Sequence, residues 1–234
     1  MNSSHTARRI VSKARTFGAS LAGTVPAADL SRSPSHRRNG DVAWPAGART
    51  VIVLALAHPA EEPSLDWWDR QPGHTPGNRS LIRTAEALIE WVDAALGIEA
   101  RDVPYSIEDG GIYLKDAAVV AGLGVIGRNN LLVTPAHGPR VRLRALLLNT
   151  DLPSVSASSF DPCGGCHAPC QEACPQRAFS NGAFSRPDCR RQMDLDEDNP
   201  YRIVDVTTMT YSTVCIKYCR ACELACPVSS TGRG

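Results

Sequence analysis

The sequence predicts an α/β (α+β) layer domain over residues 1–155, followed by a small cysteine-rich domain over 156–234. Three observations predict it. Segments with helical spacing of apolar residues alternate with short β-branched runs through about residue 150, the pattern of layered mixed folds. All nine cysteines fall between Cys163 and Cys226, and none precedes them. Between the two parts, Leu152 to Phe160 carries four serines and reads as a linker.

Ile10, Val11, Ala14 and Phe17 recur at helical spacing within His5 to Phe17, and Gly18 stands where that helix should stop. Ala19 to Val25 reads as a strand closed by Pro26, and Ser31 to Gly40 as a solvated loop in which Arg37 and Arg38 are surface charge. Thr50 to Ala57 is the clearest buried strand, because β-branched and apolar residues run without polar interruption until His58-Pro59. Glu61 to Gly77, with Trp67, Trp68 and several prolines, reads as an irregular loop or lid. A helix should begin at Asn78, bury Leu81, Ile82, Ala85, Leu88, Ile89 and Val92, and end at Gly97. Glu99 to Tyr105, Leu131 to Thr134 and Val141 to Asn149 read as strands, and Tyr113 to Ala121 as a short helix after the Glu108-Asp109-Gly110-Gly111 turn.

A chain of 234 residues that is 43% hydrophobic can bury one large core plus an appendage. The net charge of +1 gives no support for a protein that coats nucleic acid, which calls for a basic excess. No apolar stretch approaches the roughly 20 residues that span a bilayer. The first thirty residues hold Arg8, Arg9, Lys13 and Arg15 with no apolar stretch after them, so a secretory signal is not expected. A cytoplasmic protein with reduced thiols is the expectation.

Two runs hold most of the cysteines: Cys163-x2-Cys166-x3-Cys170-x3-Cys174-Pro175 and Cys215-x3-Cys219-x2-Cys222-x3-Cys226-Pro227. A pair of runs ending in Cys-x3-Cys-Pro is how bacterial-type ferredoxins hold two 4Fe–4S clusters, the last cysteine of each run serving the other cluster. Each run departs from the ferredoxin spacing by one residue, at Cys166 to Cys170 and at Cys215 to Cys219. Zinc is a weaker reading, since a structural zinc takes four ligands as two knuckles, whereas each run has four thiols by itself. Disulfides need an oxidising compartment. Two clusters require eight thiolates, so one of Cys189 and Cys215 is surplus.

Several motifs invite other readings. Gly122-Leu-Gly124-Val-Ile-Gly127 matches a dinucleotide fingerprint, but the residues after Gly127 turn and extend instead of opening a helix, so the glycines are read as points of close backbone approach. Asp194 to Asn199 imitates a calcium loop but lacks its sixth-place glycine and twelfth-place glutamate, and reads as a solvated acidic loop. Arg140, Arg142 and Arg144 alternate, so they share one strand face; a solvated edge is favoured over an anion site. His167, alone among histidines, sits within the cysteines, where it could tune a cluster by hydrogen bonding.

From Ala121-Gly-Leu-Gly-Val-Ile-Gly-Arg-Asn-Asn-Leu-Leu, through the first cysteine run to Cys189 and the last run, the sequence resembles the epoxyqueuosine reductase family, relatives of the reductive dehalogenases. The resemblance implies a nitroreductase-like cobalamin-binding layer domain followed by a two-cluster ferredoxin-like domain. It implies that Cys163, Cys166, Cys170 and Cys226 hold one cluster, and Cys174, Cys189, Cys219 and Cys222 the other, leaving Cys215 as the extra thiol. It implies cofactor contacts from the loop bearing Gly127, Asn129, Asn130 and Leu132. The family's proton-donating Asp, counted back thirteen residues from Ala121, falls on Glu108 with Asp109 beside it; a dry pocket would raise either carboxyl's pKa. Gly110-Gly111 stand where the family usually has a proline. The chain ends eight residues after Cys226, without the helical-repeat domain that in the family helps grip transfer RNA, so a transfer RNA substrate is not expected.

The function expected is therefore that of an iron-sulfur oxidoreductase relaying single electrons to a cobalamin or a bound substrate. An electron donor such as ferredoxin or flavodoxin, and a small-molecule or corrinoid substrate, are the partners implied. Two other classes compete with it: an electron carrier that reactivates a partner's corrinoid, and a flavin-dependent reductase.

Overall fold

The computed structural model describes residues 2–154, 160–205 and 210–228. The chain runs α1 (Ser3–Thr16), β1 (Leu21–Pro26), α2 (Ala27–Leu30), α3 (Pro34–Asn39), β2 (Thr50–Ala57), α4 (Pro76–Leu96), β3 (Ala100–Asp102), α5 (Leu114–Val120), β4 (Val125–Ile126), β5 (Leu132–Val133) and β6 (Val141–Leu148). The cysteine-bearing part comes next, with α6 (Pro169–Glu172), α7 (Arg186–Asp198), β7 (Tyr201–Asp205), β8 (Thr210–Cys215) and α8 (Ala221–Leu224). The mixed α/β class expected from the sequence is the class observed. The expected division at 155/156 and most of the expected serine linker lie outside the described residues.

Four strands form an antiparallel sheet in the order β1-β2-β6-β3. β2 is its spine, and its alternation decides the layering. Val51, Val53 and Ala55 join Ala117 and Ala118 of α5 in one core, while Ile52 and Leu54 face the opposite core with Ile10 of α1 and Leu81, Leu88 and Val92 of α4. The run is apolar throughout because both faces are covered. Helix α1 starts at Asn2, whose side chain accepts a hydrogen bond from the Ser4 amide; α4 starts at Thr75, whose hydroxyl accepts from the Asn78 amide, and ends at left-handed Gly97.

Four local expectations are corrected. Ser31 to Gly40 is not a solvated loop: it contains α3, and buried His36 shares a hydrogen bond with Ser33. The stretch read as an irregular loop or lid is irregular apart from one 3-10 turn at Pro63–Asp66, but its last two residues already belong to α4, which begins at Pro76, two residues before Asn78. Asp194 to Asn199 is no acidic loop but, through Asp198, the last part of α7, supported by pairs such as Arg190 with Asp194. Arg142 and Arg144 do share a face, lying opposite Leu56 and Leu54 of β2, yet β6 is an interior strand and each arginine meets a carboxylate, Asp66 and Asp102 respectively.

The glycine loop after α5 leads into the β4–β5 ribbon, with no helix behind it. A Cβ on Gly124 would lie 2.2 Å from the Val133 carbonyl oxygen, and one on Gly127 would lie 2.7 Å from Val133 Cγ2 and 3.6 Å from Cys163 Sγ. These glycines are places where the chain passes close to itself, as the missing helix leads one to expect.

Candidate functional site

The thiols sort into two neighbourhoods. Burial pushes the Cys170 thiol up, and the nearby Cys226, Cys163 and Cys166 add to it; Cys226 is raised likewise by burial, Cys163 and Cys166. In the second neighbourhood Cys222 is pushed up to about 12, by burial first and then by Cys219, Cys174 and Cys189. Cys189 is raised by burial, Cys174 and Cys219. Cys163, Cys166, Cys170 and Cys226 thus form one quartet, and Cys174, Cys189, Cys219 and Cys222 the other. Cys215 stands apart, buried beside Lys217 and Asp69.

Local folding explains the sorting. The first run wraps around the single turn of α6, and backbone amides of Ala168 and Ala178 donate to Cys166 Sγ and Cys174 Sγ at 3.4 and 3.3 Å. Helix α7 brings Cys189 into the second quartet, and its Asp196 carboxylate accepts from the Cys219 amide at 2.7 Å. Among the described residues, no three or more His, Cys, Asp and Glu side chains converge closely enough to hold a single metal ion. His167 is exposed.

Beside the second quartet opens a cleft of about 830 Å³, between the sheet, α5 and the cysteine-bearing part. Cys219, Tyr218 and Arg220 line it from one side, and His58, Asp66, Lys115, Asp116 and Arg142 from the other. Asp66 is the hub. Its carboxylate pairs with His58, Arg142 and Arg220. Burial works to raise it, but the hydrogen bond and charge from His58, with Arg142, overcome this and hold its pKa at about 2, down from 3.8. Arg220 also pairs with Glu223 and donates to the His58 carbonyl at 2.9 Å, so one guanidinium ties the second cysteine run to the end of β2. Burial lowers the Lys115 pKa against the pull of Asp116, and its Nζ donates to the Asn130 carbonyl at 2.6 Å.

The residues expected to contact a cofactor lie along a wall rather than in one pocket. Leu132 lines the cleft; Asn130, at left-handed φ, contributes its carbonyl to Lys115. Asn129 is buried and faces the small cavity bordered by Cys163, Cys166, Cys170 and Cys226, and Gly127 lies beside Cys163. The loop therefore separates the first quartet from the cleft. Arg128 fastens it by donating to the Cys166 carbonyl at 2.8 Å.

Glu108 and Asp109 stand at the mouth, in the 3-10 turn Ile107–Asp109. Both are exposed and neither lines the cleft, though Tyr105 and Ile107 do. The dry surroundings expected to raise a carboxyl there do not form around Glu108: the Ser106 hydroxyl donates to it and lowers its pKa. Nothing in the sequence singled out His58 or Asp66, because one reads as the end of a strand and the other lies in a proline-rich loop. Arg142 carried a signal, the alternating arginines, whose partner no local pattern reveals.

No protein-family profile matches the chain. Among curated proteins it is similar to the epoxyqueuosine reductase of Lactococcus garvieae, 26% identical over 194 residues, covering 77% of this chain and 52% of that protein. It is similar also to that of Gloeobacter violaceus, 28% identical over 200 residues, covering 74% and 61%. The chain thus spans between half and two thirds of the length of these relatives. Its fold is shared by solved structures of low identity. A complex of epoxyqueuosine reductase with an epoxyqueuosine-modified tRNA-Tyr stem loop gives a TM-score of 0.66 at 17% identity, over 98% of this chain and 67% of that one. A Bacillus subtilis epoxyqueuosine reductase with its catalytic aspartate loop swung out of the active site gives 0.64 at 16%, over 98% and 67%. A reductive dehalogenase whose structure suggests a mechanism for B12-dependent dehalogenation gives 0.52 at 19%, over 76% and 26%. The resemblance to the epoxyqueuosine reductases is thus present in both sequence and fold.

Proposed function

We propose that this chain, a relative of the epoxyqueuosine reductases, is a reductase in which two 4Fe–4S clusters pass single electrons to a corrinoid or substrate held in the cleft. One observation carries this reading: eight of the nine cysteines gather as two quartets, and one quartet borders the cleft through Cys219. Four thiols per group, with amide donors to sulfur, suit a cluster. A structural zinc takes four ligands as two knuckles, whereas each run supplies four thiols by itself in a pattern close to that of the ferredoxins. A corrinoid also fits, since the volume lies within the range of cofactor sites and Asp116 and Arg142, on its walls, have buried polar atoms without partners among the described residues. A ligand rich in amide groups would satisfy them.

Bound clusters would supply electrons one at a time, and a bound corrinoid the reductive bond-breaking chemistry. The chain's own residues hold and shape the site. Cys163, Cys166, Cys170 and Cys226 would hold the cluster behind the glycine loop, and Cys174, Cys189, Cys219 and Cys222 the one beside the cleft. Leu131, Leu132 and Ile112 give the cleft an apolar wall that excludes water. Glu108 and Asp109 would reach a substrate only if their turn moved inward; the swung-out catalytic loop of the Bacillus subtilis enzyme makes such a movement the natural expectation for this fold. A transfer RNA stem loop is retained as a candidate ligand, since one structural neighbour holds one. The electron donor is proposed to be a one-electron carrier of the ferredoxin or flavodoxin class. No helix among the described residues is long and apolar enough to cross a membrane. A carrier that only reactivates a partner's corrinoid is less favoured, because it has no use for a built cleft.

Adding hydroxocobalamin to the anaerobic, cluster-loaded protein should shift its visible spectrum at micromolar concentration. Absence of binding, with both clusters intact, would sink this reading of the cleft.

A further inference from the structure

We propose that His58, held in place by Asp66, is the residue that exchanges a proton with the molecule reduced in the cleft. The inference rests on the reading of the cleft as a reductase site and adds to it a residue that neither the motifs nor the relatives' names single out. His58 comes directly after β2, is 5% exposed, and lines the cleft. Its Nδ1 meets an Asp66 carboxylate oxygen. A carboxylate can only accept, so Nδ1 carries the hydrogen and Nε2 is left to gain or lose a proton. Nε2 is buried and has no hydrogen-bond partner among the described residues. Buried ring nitrogens are rarely left so, and the cleft's own ligand is the group best placed to supply the missing partner.

The surroundings support the assignment. Asp66, fixed in its ionised form, stabilises a proton arriving on the imidazole, and Arg142 and Arg220 hold the carboxylate in position. His58 pairs with Asp66 from the 3-10 turn, its amide donates to the Arg140 carbonyl, Arg142 from β6 and Arg220 from the second cysteine run pair with Asp66, Glu223 pairs with Arg220, and His74, Lys115 and Asp116 line the same cleft. Asp116, although its Oδ1 has no partner among the described residues, accepts from the Ser35 amide through Oδ2, and two further candidates on the cleft wall are occupied. Tyr218 donates to Glu197 and its pKa is pushed up to about 12, mainly by burial; Lys115 donates to Asn130.

Opening an epoxide to an alkene breaks two C–O bonds, forms a C=C bond and releases water. The balance is two electrons and two protons in. Electrons come one at a time from an external one-electron reductant through the clusters. His58 gives its Nε2 proton to the departing oxygen and is recharged from solvent; the second proton comes from water at the mouth. Arg220, between Cys219 and Cys222, places this proton source beside the wall from which the electrons arrive.

The test uses cluster-loaded protein with hydroxocobalamin, an epoxyqueuosine-modified stem loop as probe substrate, and single-turnover kinetics across roughly pH 5.5 to 8.5. His58→Gln should lower the rate about 100-fold or more and flatten the pH profile, with iron content and hydroxocobalamin binding unchanged. Asp66→Asn should shift the profile. A wild-type rate and profile in His58→Gln would overturn the assignment. If wild-type protein binds no hydroxocobalamin or leaves the probe unreduced, the reading of the cleft fails instead. Imidazole 15N spectra of wild-type protein then decide on His58, as they do if His58→Gln and His58→Asn both lose their clusters. An Nε2 that titrates while Nδ1 stays protonated supports the assignment, and an Nε2 with a fixed proton overturns it.

Discussion

Cys222→Ala protein, assembled without oxygen, is expected to retain about half the iron of the wild type and to lose reduction by an external donor. Cys222 lies among Cys219, Cys174 and Cys189 in the quartet that borders the cleft, and burial with those neighbours pushes its pKa up to about 12. Four thiols so placed repel one another as thiolates, and iron is what would relieve the repulsion. Cys215→Ala is the matched control. That thiol is 2% exposed but sits beside Lys217 and Asp69 instead of other cysteines, so its removal should leave iron content and redox behaviour intact. The reverse pattern, iron lost from Cys215→Ala and kept in Cys222→Ala, would contradict the sorting of thiols.

Asp66→Ala should produce the largest loss of stability among substitutions outside the thiols. Its carboxylate is 10% exposed and compensates Arg142, Arg220 and His58 together. Breaking a buried ion pair by removing one partner costs about 3–5 kcal/mol, because the remaining charges are left uncompensated. For a chain of this size that corresponds to a fall in melting temperature on the order of 10 °C, read by thermal unfolding of the anaerobic cluster-loaded protein. With a folded pKa of about 2 against an ordinary 3.8, the group's contribution is complete above 3.8 and disappears as pH falls through 2. A shift of under about 2 °C at neutral pH would show that Arg142 and Arg220 find other partners.

Local interactions are the ones the sequence made legible. Thr50–Ala57 announces itself as an interior strand because both of its faces are covered, and the 21-residue α4 because its apolar stripe repeats at helical spacing. The two quartets were legible through cysteine order and family resemblance, although spacing inside the last run pointed to Cys215. That choice depends on α7, which carries Cys189 to Cys174 and Cys219, and α7 itself was hidden behind a cluster of acids that resembles a loop. The Asp66 hub was illegible for a similar reason. Its partners come from residues 58, 142 and 220, separated by up to 154 positions (220 − 66), and no local pattern links an aspartate in a Trp-Trp loop to an arginine between two cysteines. Glu108 shows the opposite failure: counting along the chain finds a turn, but whether a carboxyl there is dry depends on what packs over it, and none of the described residues buries this one.

The proposed electron relay requires that the thiols assemble as two cluster cradles. Iron and acid-labile sulfide analysis on one oxygen-free preparation, with electron paramagnetic resonance of the reduced protein, tests this most directly. About eight irons and eight sulfides per chain, with the signals of two reduced 4Fe–4S clusters, is the predicted result. Stoichiometric zinc, or iron for one cluster or fewer, would contradict it.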